Sequence, residues 1–212
     1  MFTTTSRSSR IYRSSLQLTI CLTAACCGCS GGPSRVAPPS IDADESGAQA
    51  MAQYDRDNDG LLSKDELENC PAILHRIERY DFDQDGQVSA AEIAKRVGEL
   101  QKSKVALMPL GVKVTFNGRP LAGAEVRLIP ETFLGEAVQS ASGTTDKYGM
   151  TTPAIAADKL PADLADIRGV HLGLYQVEIS HPKKKLGVQR LGTEIDHTDQ
   201  WNGLRFDLKK GK

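Results

Sequence analysis

The chain has 212 residues, a formal net charge of −1 and 25% charged residues, a length that allows one large domain or two small ones. The charge is unevenly spread: residues 42–100 hold 15 acids against 6 bases, residues 101–212 hold 12 acids against 16 bases, and residues 1–41 hold four Arg and no acid. An acidic block of this kind argues against nucleic-acid binding, and the change of sign places a domain boundary near residue 101.

The N-terminus reads as an export signal. Arg7, Arg10 and Arg13 lie in a Ser/Thr-rich stretch without acids, and an apolar run over residues 16–25 follows. Ten residues are too few to cross a bilayer, which needs about 20, but they suit the core of a signal peptide. The small residues that follow end in Cys26, Cys27, Gly28 and Cys29. This resembles a bacterial lipoprotein signal, which implies a lipidated cysteine as the mature N-terminus. Cys26 follows Thr-Ala-Ala and Cys29 precedes Ser-Gly-Gly, so both compete for the lipid, with Cys29 the better placed. Cys26 and Cys29 also form a Cys-x-x-Cys, but a redox or zinc site needs a folded scaffold and usually further ligands. Residues 1–29 are thus assigned to the signal. A mature chain from Cys29 keeps Cys70 as its only other thiol, so no disulfide framework is expected. Residues 30–47, rich in Gly, Pro, Ser and Ala, are expected to be a flexible linker.

Residues 55–92 carry one acidic pattern twice. The first copy is DRDNDGLLSKDE, with Asp55, Asp57, Asp59, Gly60, Ser63 and Glu66; the second is DFDQDGQVSAAE, with Asp81, Asp83, Asp85, Gly86, Ser89 and Glu92. Counted from the first Asp, side-chain oxygens stand at positions 1, 3, 5, 9 and 12 and Gly at 6, the ligand register of a calcium loop. Acids at alternate residues converge when the chain curls. The Gly permits the turn that brings in the carbonyl of position 7 (Leu61, Gln87), and the Glu closes the site from the following helix. Both copies resemble the EF-hand family at every ligand position, which implies two bound Ca2+ ions.

Short helices should flank these loops. Ala48, Met51 and Tyr54 fall at helical spacing before the first. Fourteen residues, LENCPAILHRIERY, separate the loops. They predict a brief exit after Glu66, a break at Cys70 and Pro71, and a helix with Ile73, Leu74, Ile77 and Tyr80 on one face. Ile93, Val97 and Leu100 mark a final amphipathic helix. This linkage is similar to the compact pairs of dockerins and bacterial EF-hand proteins. The resemblance implies a short strand contact of Leu62 with Val88. The paired EF-hand domain is placed at residues 48–101. So small a module is marginal alone, and its clustered carboxylates repel one another without metal, so calcium is expected to contribute to folding. Cys70 and His75 are read as helix residues rather than extra ligands.

After residue 104 the period changes to two. Val112, Val114 and Phe116 alternate with polar residues before an Asn117-Gly118 turn, and Val126 and Leu128 repeat the pattern in EVRLIP. SGTTDKYGMTTPAI predicts two strand segments about a turn at residues 146–149. Tyr175, Val177 and Ile179, then Leu204, Phe206 and Leu208, predict further strands. Short alternating strands with Gly and Pro punctuation indicate an antiparallel β-sandwich over residues 104–212, giving an α+β, two-domain chain. The phrases Val-x-Val-x-Phe-Asn-Gly-x-Pro-Leu-x-Gly-Ala-x-Val, Gly-x-Thr-Asp-x-x-Gly and Gly-x-Tyr-x-Val-x-Ile resemble a carboxypeptidase regulatory-like, transthyretin-like sandwich domain. The stretch AADKLPADLADIRGVHLG and the basic loop after Ser180 depart from that family. The resemblance implies an accessory role without peptidase activity.

His171, His181 and His197 lack the spacing of a helical zinc motif, and neither a nucleophile elbow nor a phosphate loop is present, so no catalytic residue is assigned and no enzyme activity is expected. Lys183, Lys184 and Lys185 read as a solvated hairpin and Trp201 as a core anchor. The combined expectation is a non-catalytic calcium-binding protein, exported and lipid-anchored at the membrane surface of the cell envelope, on its periplasmic or extracellular side. A surface protein or glycan is its expected partner. In the alternative, the sandwich is a carbohydrate- or protein-binding accessory module and calcium is only structural.

Overall fold

The computed structural model describes residues 37–184, 189–198 and 203–209. The signal segment with Cys26 and Cys29, most of the linker's first half, Lys185 and Trp201 lie outside the described residues. Residues 43–102 are helical with one short strand pair, and a largely β region follows. The chain is therefore α+β with two domains.

Helix α1 (Ala43–Tyr54) starts where the Asp42 side chain accepts from Glu45 N–H, so residues 43–47, expected in the linker, are helical. The cap satisfies a backbone donor that the first helical turn cannot. Loop one leads through β1 (Leu61–Leu62) to α2 (Lys64–Leu67), and Pro71 opens the single turn α3 (Pro71–Leu74). The expected helix through Tyr80 is interrupted. A separate 3-10 turn covers Ile77–Arg79, and Arg76 leaves the helical region at φ −129°. Tertiary contacts on both sides of the break explain it: His75 Nδ1 donates to the Gly192 carbonyl at 2.9 Å, and the Tyr80 hydroxyl reaches Glu194. Loop two then passes through β2 (Val88–Ser89) into α4 (Ala90–Lys102), whose Ile93, Val97 and Leu100 are buried as the spacing predicted.

The β region contains two sheets. The first has the order β10-β9-β5-β6-β8, from β5 (Glu125–Pro130), β6 (Ala141–Thr144), β8 (Ala154–Ile155), β9 (Gly173–Ser180) and β10 (Gln189–Ile195). The second joins β11 (Leu204–Leu208), β3 (Val112–Phe116), β4 (Arg119–Pro120) and β7 (Met150–Thr151). Asn117 and Gly118, both at positive φ, form the expected two-residue turn between β3 and β4. Two pairings differ from a simple antiparallel meander. β11 runs parallel to β3. β6 and β7 do not pair with each other: β6 lies between β5 and β8, whereas β7 pairs with β3, so the turn at residues 146–149 carries the chain from one sheet to the other. Val112, Val114, Val126, Leu128, Tyr175, Val177 and Ile179 are buried and join both sheets to one core.

That core continues into the helical domain, where Leu62, Leu67, Ile73, Tyr80 and Val97 are also buried. α3 lies against β10 so closely that a side chain at Gly192 would collide with the backbone of Pro71 and Ala72. Gly192→Ala is expected to destabilise the protein by about 1–3 kcal/mol, the usual range for overpacking a tight contact, measured by urea denaturation.

His171 is buried, and its Nδ1 accepts from Gln139 N–H at 3.2 Å. Burial pushes the ring's pKa down to about 4. The unfolded chain takes up this proton near pH 6.5, and the folded chain resists until about pH 4. Stability therefore falls as pH drops through that window, by about 3 kcal/mol for this group at 1.36 kcal/mol per pH unit. His171→Gln is expected to remove that share of the acid dependence in denaturant titrations run from pH 7 to pH 4.

Candidate metal centre

The two acidic loops share three backbone-to-carboxylate bonds at matching positions, and loop one adds a fourth, from Asn58 N–H to Asp55 Oδ1 at 2.7 Å. In loop one, Asp55 Oδ2 accepts from Gly60 N–H at 3.1 Å, Asp57 Oδ1 from Asp59 N–H at 3.2 Å, and Asp59 Oδ1 from Leu61 N–H at 2.8 Å. In loop two, Asp81 Oδ2 accepts from Gly86 N–H at 2.9 Å, Asp83 Oδ1 from Asp85 N–H at 3.2 Å, and Asp85 Oδ1 from Gln87 N–H at 2.8 Å. Asp55 accepts on both oxygens and each of the other five carboxylates on one; since a carboxylate has about four lone-pair sites, all keep acceptor capacity for a cation. Oxygen atoms of Asp55, Asp57 and Asp59 lie within 4.8 Å of one another, as do those of Asp81, Asp83 and Asp85.

The backbone carries the same repeat. Gly60 and Gly86 have φ of 88° and 86°, and position 4 of each loop, Asn58 and Gln84, is also left-handed at 59° and 64°. Leu62 pairs with Val88, and Leu61 with Ser89, in a two-stranded sheet that ties the loops back to back. Both Leu62 and Val88 are buried, as expected for position 8.

Glu66 and Glu92 close the loops through capping boxes. Ser63 donates its N–H and hydroxyl to Glu66 Oε2 at 2.9 and 2.7 Å, and Arg56 N–H donates to Oε1 at 2.8 Å. Ser89 and Phe82 N–H do the same for Glu92, at 2.8 Å in all three bonds. The Ser63 backbone, its hydroxyl and Arg56 N–H hold the Glu66 carboxyl down to about 2. At Glu92 burial works to raise the pKa, but the Ser89 and Phe82 donors outweigh it and the group is lowered. Both glutamates are therefore anionic. The Ser63 and Ser89 hydroxyls, read as position-9 ligands, are engaged with these carboxylates. Phe82, 37% exposed, is covered by Lys95, whose ammonium lies 3.5 Å from the ring centroid.

The donor set fits a hard divalent cation. It consists of oxygens alone, it is anionic, and it lacks the nitrogen and sulfur atoms that softer metals prefer. Asp81 Oδ1 adds a direct sign: it is buried and, among the described residues, has no hydrogen-bond partner. A buried carboxylate oxygen without a donor is costly, and a calcium ion would satisfy it.

Two contacts outside the loops escaped the pattern reading. Tyr54, immediately before Asp55, donates its hydroxyl to Glu131 Oε2 at 2.8 Å, and Tyr80, immediately before Asp81, donates to Glu194 Oε2 at 2.7 Å. Tyr at the same place in both copies was the available signal. Glu131 and Glu194 belong to the β region and are buried. Burial pushes the Glu131 carboxyl above its ordinary pKa, against the Tyr54 and Gln176 hydrogen bonds. Glu194 is held low despite burial, by Arg96, Tyr80 and Arg79.

A family model described as EF hand matches residues 48–71, which cover the second half of α1, loop one and α2. No curated protein and no solved structure matches the chain. The EF-hand match and the Asp triplets support calcium binding. Replacing Gly86 by Ala puts a side chain on left-handed backbone at a cost of about 1–2 kcal/mol; urea melts are expected to show that loss, and calorimetric titration a weaker calcium affinity.

Proposed function

We propose that this chain is a non-catalytic calcium-binding protein in which both EF-hand loops take an ion. Loop one uses Asp55, Asp57, Asp59, Glu66 and the Leu61 carbonyl; loop two uses Asp81, Asp83, Asp85, Glu92 and the Gln87 carbonyl. Ser63 and Ser89 stand at position 9, where coordination often runs through a water. The single observation behind a count of two is that three backbone-to-carboxylate bonds of loop one recur at the same positions in loop two.

Calcium acts here as a brace. A calcium sensor exposes an apolar groove when it opens, but the inward faces of α1, α3 and α4 are already buried in a core shared with the sheets. Among the described residues of the helical domain, Phe82 is the one large apolar side chain left exposed. The N-terminal Arg-rich, apolar and Cys-containing segments support export and attachment by a lipid on Cys26 or Cys29, with the folded part carried at the membrane surface of the cell envelope. Among the described residues no helix is long and apolar enough to cross a membrane. In such a setting weak sites, with dissociation constants on the order of 10⁻⁴–10⁻³ M, would fill.

Native mass spectrometry of the mature protein tests both parts. The expected result is two calcium ions per chain, one in Glu66→Gln or Glu92→Gln, and an N-terminal cysteine carrying acyl mass; no bound calcium, or a processed terminus without lipid, overturns the corresponding part. At calcium tenfold above its dissociation constant, each site adds about 1.4 kcal/mol. Two sites give about 3 kcal/mol, so chelation is expected to lower the melting temperature by about 6–12 °C in a domain of this size.

A further inference from the structure

Glu194 lies on β10, outside the helical pair, yet its carboxylate is held by both flanks of loop two. On the entering side, the Tyr80 hydroxyl donates to Oε2 at 2.7 Å and Arg79 Nη1 to Oε1 at 2.7 Å. On the leaving side, Arg96, one turn beyond Glu92 on α4, donates Nη2 to Oε1 at 2.6 Å and Nε to Oε2 at 3.1 Å. Arg96 Nη2 also meets Asp196 Oδ2 at 2.6 Å, and Arg79 Nη1 lies 3.5 Å from the same oxygen. The Glu194 side chain has no exposure to solvent.

The placement matters more than the number of bonds. Calcium coordination requires position 1, Asp81, and position 12, Glu92, to converge from opposite flanks of the loop. Tyr80 directly precedes the first, and Arg96 follows the second by one turn. The bridge from Tyr80 through Glu194 to Arg96 therefore sets the separation of the two flanks from outside the loop. Loop one has no ionic counterpart among the described residues: Glu131 takes a phenol from the entering helix and an amide from Gln176, both uncharged donors.

We propose that Glu194 is a positioning residue for the second calcium site, through which the sheet domain sets the affinity of loop two. The proposal rests on the reading that loop two binds calcium. Binding free energies are reciprocal, so calcium in loop two holds the helical pair on the sheet by the same factor that Glu194 raises the affinity.

The test uses the full chain and calcium titrated calorimetrically, with one loop silenced at a time. In a Glu66→Gln background, which reports loop two, adding Glu194→Gln is expected to weaken binding by 10- to 100-fold, roughly the effect of losing a residue that orients a metal ligand. In a Glu92→Gln background, which reports loop one, the same change is expected to leave affinity within about twofold; a purely structural role would weaken both loops. Tyr80→Phe, which keeps the ionic contacts, is expected to move loop two in the same direction by less. A second readout is Cys70, fully buried at the start of α3: in the Glu66→Gln background, where only loop two fills, calcium should slow its alkylation, followed by peptide mass mapping, and adding Glu194→Gln should abolish that slowing. If the Glu66→Gln protein binds no calcium, the reading of loop two fails. If it binds and a folded Glu194→Gln variant binds equally well, the positioning role is overturned. Should Glu194→Gln not fold, an unchanged loop-two affinity in Tyr80→Phe overturns it instead.

Discussion

A carboxylate with no access to solvent must find donors within the protein or lose its charge, and Glu194 finds Tyr80, Arg79 and Arg96 in the helical domain. They reach it from the two sides of loop two. Removing one partner of a buried pair typically costs about 3–5 kcal/mol, because the other charge is left uncompensated. Separating the helical and β domains would strand two guanidiniums and a carboxylate together. The close approach of α3 to Gly192 and the His75–Gly192 hydrogen bond complete the same interface. Neither domain can be treated as an independent module joined by a tether.

This constraint changes what the acidic loops do. An EF-hand pair with free helices can respond to calcium by opening, but these helices are pinned by Tyr54 to Glu131 and by Tyr80 to Glu194. Within the loops, backbone N–H groups already fold the Asp side chains inward, and the capping boxes already place the two glutamates. The geometry is prepared in advance, so an ion bound in each loop, as proposed, would relieve the repulsion among gathered anions and supply a partner for Asp81 Oδ1. Under the proposed function, metal binding would then act on the stability of the whole fold more than on the shape of one surface.

Several elements of the fold could not be read along the chain. β10 escaped because its alternation is blurred: Leu191, Thr193 and Ile195 mark one face, yet the intervening Glu194 is as fully buried as Ile195. Its side chain is buried by the helical domain, which periodicity does not register. The helix expected over residues 71–80 broke at Arg76 because His75 and Tyr80 both reach partners more than 110 residues away. The strand segments around residues 146–149 read as a hairpin locally, but their partners lie in different sheets. Helix α1 began earlier than its apolar spacing suggested, because its start depends on the Asp42 cap.

By itself the sequence determined what depends on neighbours within a dozen residues: the two oxygen-rich loops, their glycines and the alternation of the main strands, with the Leu62–Val88 contact implied by the resemblance of the loops to EF-hands. Loop chemistry is local, since a twelve-residue curl brings its own ligands together. Only the tertiary structure decided which strands share a sheet, that β11 runs parallel to β3, and that Glu131 and Glu194 grip the residues before each loop. Those contacts join positions 77 to 114 residues apart. At such separations pairing follows from which buried charges and close backbone approaches can all be satisfied at once, and no short-range pattern encodes that.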